Sequence, residues 1–430
     1  MLAKLRNEAR ELVRNNGHAG RIVDIWTSNI VGTGIVPRFR TGSADLDRRA
    51  QDLWRRWCDR ADADGRTDFY GLQALAVRSM VESGESLARQ RLRRAADGLP
   101  VPLQIQLLEA DYLDVTRDRP IGPRVTGGVQ FDAIGGRAAY HLFSEHPGAP
   151  LGTSWQSKPV PADEIAHLYK RERPGQIRGV PWLARSMLRL RELQEWSDAT
   201  LVKAKTEACL GLIVTRPPGG GSPIGRTTTD ADGKRIETLE PAMVAYLQPG
   251  EEVTTLQPSS NSSYEPFAIH HEMEAAVGAG LTYDQMTGNL RQANYSSLRA
   301  GKIEQRRLVE QIQWQVVIPQ LCVPAMDWFL AAAQAAGALP VEQDYRVDWV
   351  PPRHESLDPL KDINADIAAV RGGFEPLPEV TARYGYDWRD VLAQAAEVAE
   401  AVEAAGLALD TDLRRQPPAV APAKPEKPKP

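Results

Sequence analysis

YEPFAIHHEMEAAVGAGLTYDQMTGNLRQANYSSLRAG, residues 264–301, reads as a helix, an irregular loop and the start of a long helix. His271, Ala275 and Gly278 fall at i, i+4 and i+7, with Ala276 and Val277 beside them, so small residues line one helical face. A helix carries such a face when a neighbour must approach closely. From Leu281 to Gln292 the periodicity breaks, and Gly288, Asn289 and polar side chains predict a mobile loop. From Ala293 the helical pattern resumes and runs to Val317, roughly 36 Å at about 1.5 Å per residue. Pro319 is expected to end it.

Working outward, residues 181–209 form a second long helix, roughly 43 Å by the same rise, with Pro181 in its first turn. Leu183, Met187, Leu190, Leu193 and Trp196 make its apolar stripe, while Arg185, Arg189, Glu192 and Glu195 face elsewhere. Between the two helices, residues 215–263 are rich in Gly, Pro, Ser and Thr. They predict a small β-rich insertion, with strands at 243–247 and 253–256 and 216–235 partly disordered. Towards the N-terminus come two short helices hinged at Asn15-Asn16-Gly17, a strand at 35–40, an amphipathic helix at 43–61 and a helix at 68–84. Strand-like segments at 86–92, 103–108, 129–132, 138–141 and 164–169, separated by Gly, Pro and Asp turns, predict an antiparallel α+β body. After Pro319 the pattern predicts a helix at 325–336, a strand at 347–350, and helices at 358–371 and 376–405 interrupted at Gly385. From Gln416 onward six prolines with alanine and lysine predict a disordered tail. The fold class is therefore α+β, mainly helical.

The chain has 430 residues, of which 25% are charged and 42% hydrophobic, with net charge −4. A protein that grips DNA through many phosphates is usually basic, so any DNA contact here is expected to be sparse and local. No run of 18 or more apolar residues is present, and the N-terminus lacks a signal-peptide core, so the protein is expected to be made and kept in a cytoplasm without membrane contact. Cys58, Cys209 and Cys322 are far apart and predict free buried thiols. HHEME at 270–274 lacks the second histidine four residues on that a zinc helix requires. The ADADGRTDFYG segment fails as a calcium loop, because its first and twelfth positions would be Arg60 and Gly71. PPGGG lacks the GK[ST] of a phosphate cradle, and no G-x-S-x-G is present. Acid pairs such as Glu251-Glu252 and Asp362-Asp366, and Ser296-Ser297 near Lys302, fit solvated faces and helix caps better than catalysis. No catalytic residue, metal or cofactor is expected.

GLTYDQMTG followed by NYSSLRAGKIEQRR resembles the corresponding segment of lambda-family phage portal proteins, the rings through which DNA enters and leaves a capsid. LVRNNGHAGRIVDIWTSNIVGTGI (12–35) resembles the family's N-terminal motif, and PGQIRGVPWLARSM (174–187) the lead-in to its first stem helix. VRGGFEPLPEVTARYGYDWRDVLAQ (370–394) resembles its C-terminal motif, and the segments occur in the family's order over most of the chain. The resemblance implies a portal fold divided as follows: an α+β wing body (1–175), a first stem helix (176–212), a clip-like β insertion (213–263) and a second stem helix (264–280). A tunnel loop (281–292), a long wing helix returning to the body (293–350), a helical crown-side region (351–410) and a Pro/Lys tail (411–430) complete it. Tyr283, Asp284, Gln285, Asn289, Arg291 and Gln292 would then approach DNA, with polar groups and one cation suited to weak, sequence-independent phosphate contact. His271, Ala275 and Gly278, with Leu183, Met187 and Leu190, would pack stem helices between subunits. Implied partners are further copies in a dodecameric ring, double-stranded DNA, the terminase large subunit, the major capsid protein, scaffold or protease during assembly, and a head–tail adaptor. The implied location is the virion, assembled in the bacterial cytoplasm. The rival reading is a carboxylate-dependent cytoplasmic enzyme with a cleft between the α+β and helical halves.

Overall fold

The computed structural model describes residues 2–409 apart from 119–123, 150–155, 210–212, 216–225, 230–234, 239–251, 255–263, 292–294, 342, 353–358, 385, 387 and 408. Two compact units alternate along the chain. One comprises Met1–Ile25, Val81–Gly84 and Gly179–Gly301, the other Trp26–Met80, Glu85–Arg178 and Lys302–Pro430.

In chain order, α1 (Leu2–Asn15) and α2 (Gly17–Val31) meet at Asn16. Its Oδ1 accepts the backbone N–H groups of His18 and Ala19 at 3.0 and 3.1 Å. This is an N-cap, and it explains why the chain restarts a helix there instead of continuing one. β1 (Val36–Arg40) precedes α3 (Ala44–Cys58), which opens on Ser43 with Asp45 and Asp47 in its first turn. α4 (Phe69–Ser83) leads into β2 (Glu85–Leu92), β3 (Leu103–Glu109), β4 (Val125–Thr126), β5 (Val129–Phe131), β6 (Arg137–Phe143), β7 (Ser157–Pro161) and β8 (Ile165–Tyr169). Two antiparallel sheets result, ordered β3-β2-β8 and β4-β5-β6-β7. Leu87, Leu108, Leu113, Val129, Tyr140, Leu142, Val160 and Ile165 form their shared core.

α5 (Met187–Cys209) follows a 3-10 turn, Trp182–Arg185, for which Pro181 is the preceding cap, so the helix expected from 181 starts with a tighter turn. β9 (Ile213–Thr215) pairs with β12 (Glu252–Thr254), and β10 (Arg226–Thr229) with β11 (Arg235–Thr238). The strand expected at 243–247, most of 216–235 and the tail from Gln416 lie outside the described residues. α6 (Tyr264–Gly278), α7 (Tyr283–Thr287) and α8 (Tyr295–Ile312) come next.

Pro319 does not end the long helix. A π-helical stretch, Gln313–Cys322, carries α8 through the proline into α9 (Val323–Ala335). Proline removes one donor and crowds the carbonyl a turn earlier; the wider π-turn moves that carbonyl off the ring. The side chains of this stretch tie it to the second unit. Gln313 Nε2 donates to the Ile30 carbonyl at 2.7 Å, and Gln320 Oε1 accepts the Tyr169 N–H at 2.9 Å. By length and composition the continuous helix Arg299–Ala335 would suffice to cross a membrane, but 61% of its most apolar window is buried within the fold. That is the signature of a core helix. Phe329 from α9 joins Trp54, Trp57 and Phe69 in an aromatic cluster with ring centroids 4.8–5.5 Å apart. The chain closes with β13 (Arg346–Val350), antiparallel to β1, and then α10 (Pro359–Arg371), α11 (Leu377–Arg383) and α12 (Trp388–Ala404). Cys58 and Cys322 are free and buried, and burial raises both thiols well above their ordinary value, so neither is a ready nucleophile. The Cys209 side chain lies outside the described residues.

Candidate functional site

Within the first unit α5 and α6 run antiparallel. Ser186 Oγ donates to the Ala275 carbonyl at 2.7 Å, Arg189 Nε lies 3.2 Å from Glu274 Oε2, and the Trp196 ring stacks on Tyr264 and Phe267 at 4.7 and 4.3 Å. Gly278 is where the two segments press together: a Cβ there would sit 2.5 Å from Ser186 Oγ and 3.2 Å from the Arg185 carbonyl oxygen. Leu183, Leu190 and Ala275 have no exposed surface, Met187 is half-buried, and His271 Nδ1 lies 3.5 Å from Glu274 Oε2. The small-residue face therefore packs α6 onto α5 of its own chain. Periodicity reveals that a face needs a close neighbour, but not whose helix that neighbour is. Among the described residues, Leu188, Leu201 and Val202 on α5 and Tyr264, Phe267, Met273 and Val277 on α6 leave apolar surface exposed.

The segment expected as a mobile loop is a short, anchored helix, α7. Thr282 and Gln285 form a capping box, with Gln285 Oε1 accepting the Thr282 N–H at 3.0 Å. Gly288 closes the helix in the left-handed conformation, at φ +72°. Met286 is fully buried beneath it, and Arg21 Nε donates to the Gln285 carbonyl at 2.8 Å. Gly301 in α8 lets Thr282 approach, since a Cβ there would lie 2.9 Å from Thr282 Cγ2. Tyr283 and Asn289 are joined by a 3.0 Å hydrogen bond from Asn289 Nδ2 to the phenol oxygen, and Asn289 Oδ1 accepts the Arg291 N–H at 3.2 Å. Asp284 is half-buried and Arg291 exposed; Gln292 lies outside the described residues. The structure thus gathers five of the six loop candidates around one turn of helix. The anchors Arg21, Thr282, Met286 and Gly301 went unread in the sequence. Only the T-x-x-Q spacing of the capping box offered a local signal for any of them.

The second unit contains a buried polar cluster that sequence reading also missed. Arg178 Nε lies 2.9 Å from both Glu85 oxygens, its Nη2 2.6 Å from Oε1, and its Nη1 donates to the Gly127 carbonyl at 2.8 Å. His167 Nε2 meets Glu85 Oε2 at 3.0 Å, and Arg137 Nη1 meets His167 Nδ1 at 2.9 Å. Arginine can only donate, so Nδ1 is the acceptor and the imidazole is the neutral tautomer that gives its Nε2 proton to Glu85. Burial alone would raise the Glu85 carboxyl; Arg178 and His167 override it and hold the group well below the usual carboxylate range. Burial lowers the His167 imidazole, against the pull of Glu85. Glu85, His167 and Arg178 are all buried, so the cluster acts as a structural tie. Glu109, Asp111 and His146 bring potential ligand atoms within 4.8 Å of one another. His146 Nδ1, however, accepts the Gly148 N–H at 3.0 Å, which leaves the proton on Nε2, 3.3 Å from Glu109 Oε2. That geometry is a histidine–carboxylate pair.

The family model for phage portal protein, lambda family, matches residues 1–313. A probable portal protein of Halomonas phage phiHAP-1 is 28% identical over 419 residues, covering 91% of this chain and 79% of its own. Portal protein B of Escherichia phage lambda is 21% identical over 457 residues, covering 93% of this chain and 84% of its own. Among solved structures, a chain from the neck of an empty GTA particle is 16% identical with a TM-score of 0.48, covering 89% of this chain and 93% of that one.

Proposed function

Because the chain belongs to the lambda family of phage portal proteins, we propose that α7 and its flanks form the tunnel loop of a portal ring and that Asp284 and Arg291 are its DNA-facing charges. The portal function itself follows from family membership, which leaves the enzyme reading without support. In this proposal a dodecameric ring occupies one vertex of the virion, conducts DNA inward and outward, and hydrolyses nothing itself. α5 and α6 serve as the stem and the β9–β12 insertion as the clip. The terminase large subunit and later the head–tail adaptor dock at the clip end, while the major capsid protein surrounds the ring. Leu188, Met273 and Val277, part of the apolar surface left exposed on α5 and α6, are the candidates for contact between neighbouring stems.

The observation that carries the loop assignment is its anchoring. A buried Met286, a capping box and the Arg21 hydrogen bond hold the turn, while Arg291 remains exposed beyond it. A fixed turn bearing one exposed cation suits repeated weak phosphate contact that breaks as DNA slides. The double substitution Asp284→Ala/Arg291→Ala is expected to leave rings intact by electron microscopy and to reduce packaged or retained DNA several-fold. Failure of the rings to assemble, or unchanged DNA retention, would remove the loop from this role.

A second expectation arises from Gly301. Gly301→Leu drives a side chain into Thr282 and is expected to loosen α7 at a cost of about 1–3 kcal/mol. Protease cleavage within residues 281–291 should become faster than in the wild type, with cleavage elsewhere unchanged.

A further inference from the structure

We propose that Arg91 and Arg93 form a second, preoriented phosphate-binding site on the β2–β3 face, which takes the backbone of duplex DNA outside the loop of α7. Arg89, Arg91 and Arg93 recur at every second residue, so they share one face of the strand and repeat about 7 Å apart. Antiparallel strands commonly set opposite charges across from a cation. Here the cross-strand register sets Arg89 against Gln106 and Arg91 against Gln104. Arg91 Nε donates to Gln106 Oε1 at 2.8 Å, and Arg93 Nε donates to Gln104 Oε1 at 2.8 Å. Gln104 is itself held, because its Nε2 donates to the carbonyls of Arg60 and Asp62 at 3.0 and 2.9 Å.

Two glutamines therefore do what carboxylates usually do for an arginine, fixing its orientation, but they bring no negative charge of their own. Among the described residues the one carboxylate paired with this row is Glu164, 3.3 Å from Arg89 Nη2 at the inner end. Asp97 beyond the outer end accepts the Arg94 backbone N–H at 2.9 Å. Burial together with Arg89 and Arg93 lowers the Arg91 guanidinium, outweighing the opposing pull of Glu164. Arg91 Nη2 also donates to Gln106 Oε1 at 2.5 Å, while Nη1 of Arg91 and both Nη atoms of Arg93 make no hydrogen bond among the described residues, so Arg93 keeps a free fork for phosphate and Arg91 a free donor beside it. A row of preoriented like charges fits a polyanion of regular spacing rather than a protein surface of mixed charge. The net charge of −4 means that such contact must be local, as it is on this strand. The choice of duplex DNA as the polyanion rests on the portal assignment; the phosphate chemistry does not.

The test is binding of a fluorescein-labelled 30-base-pair duplex to the purified full-length chain, read by anisotropy across a salt series. Each phosphate contact contributes about 0.9 to the slope of log affinity against log salt. Arg91→Gln/Arg93→Gln is expected to weaken binding at low salt and flatten that slope by about 2 per site. Arg91→Lys/Arg93→Lys should keep the slope, which separates lost charge from lost folding, and Arg291→Ala should leave this contribution in place. The proposal is overturned if the glutamine variant matches wild type in affinity and slope, or if wild type binds no duplex at low salt. Neither result bears on whether the chain forms portal rings, which microscopy reads separately.

Discussion

Glu85→Gln will destabilise the α+β unit by about 3–5 kcal/mol, because it removes one partner of a buried ion pair and strands the other. Arg178 donates to Glu85 through Nε and Nη2 and is itself buried, so the neutral amide leaves a guanidinium with no charge to answer it. Glu85→Met/Arg178→Met together should recover much of the loss, since an apolar replacement of the whole pair leaves nothing uncompensated. Thermal unfolding of Glu85→Met, Arg178→Met and the double variant decides this; additive losses in the double variant would contradict a coupled pair. The same cluster sets an acid limit. The Glu85 carboxyl is lowered in the fold, so its contribution is complete above the ordinary carboxylate value of about 4.3 and is lost as pH falls further. The His167 imidazole is also lowered, so the unfolded chain takes up that proton first and stability begins to fall below about pH 6.5. Glu85→Gln should remove the lower of these two phases, which chemical denaturation at stepped pH will resolve.

Gly84→Ala is expected to cost about 4 kcal/mol, from two sources that add. Gly84 lies between α4 and β2 at φ +93°, a conformation that strains an alanine by about 1–3 kcal/mol. Its Cβ would also lie 2.6 Å from the Val180 carbonyl carbon and 2.7 Å from the Pro181 nitrogen. Those are backbone atoms immediately before the turn that opens α5, and they cannot rotate away as a side chain could. Gly42→Ala is the control, because Gly42 has φ +86° with nothing within 4 Å of a Cβ and so reports the strain alone. Urea unfolding of both variants should show Gly84→Ala losing clearly more. Equal losses would mean that the approach to Val180 and Pro181 relaxes freely.

These two positions also mark what a one-dimensional reading misses. The helices on either side of Asn16, the amphipathic α3 and the strands β2 and β3 are written in local periodicity and caps, and they stand where those signals put them. Gly84 was readable as the end of a helix but not as the point where residues far along the chain cross it. Glu85, His167 and Arg178 looked like ordinary charged residues, because burial depends on the pairing of β2 with β8, which no local pattern encodes. Pro319 misled for the opposite reason: its local rule is strong, and tertiary hydrogen bonds through Gln313 and Gln320 accompany a wide turn that accommodates it. The resemblance carried the family, while the anchoring of α7 needed coordinates. The same holds for the packing of Ala275 and Gly278 against Ser186 and Arg185.

Whether this chain builds a channel or an enzyme is read by electron microscopy of the purified protein, with averages viewed down any symmetry axis. A portal chain gives closed rings with a central hole wide enough for duplex DNA. Compact monomers or dimers without a hole, persisting when capsid or scaffold partners are added, would contradict the channel.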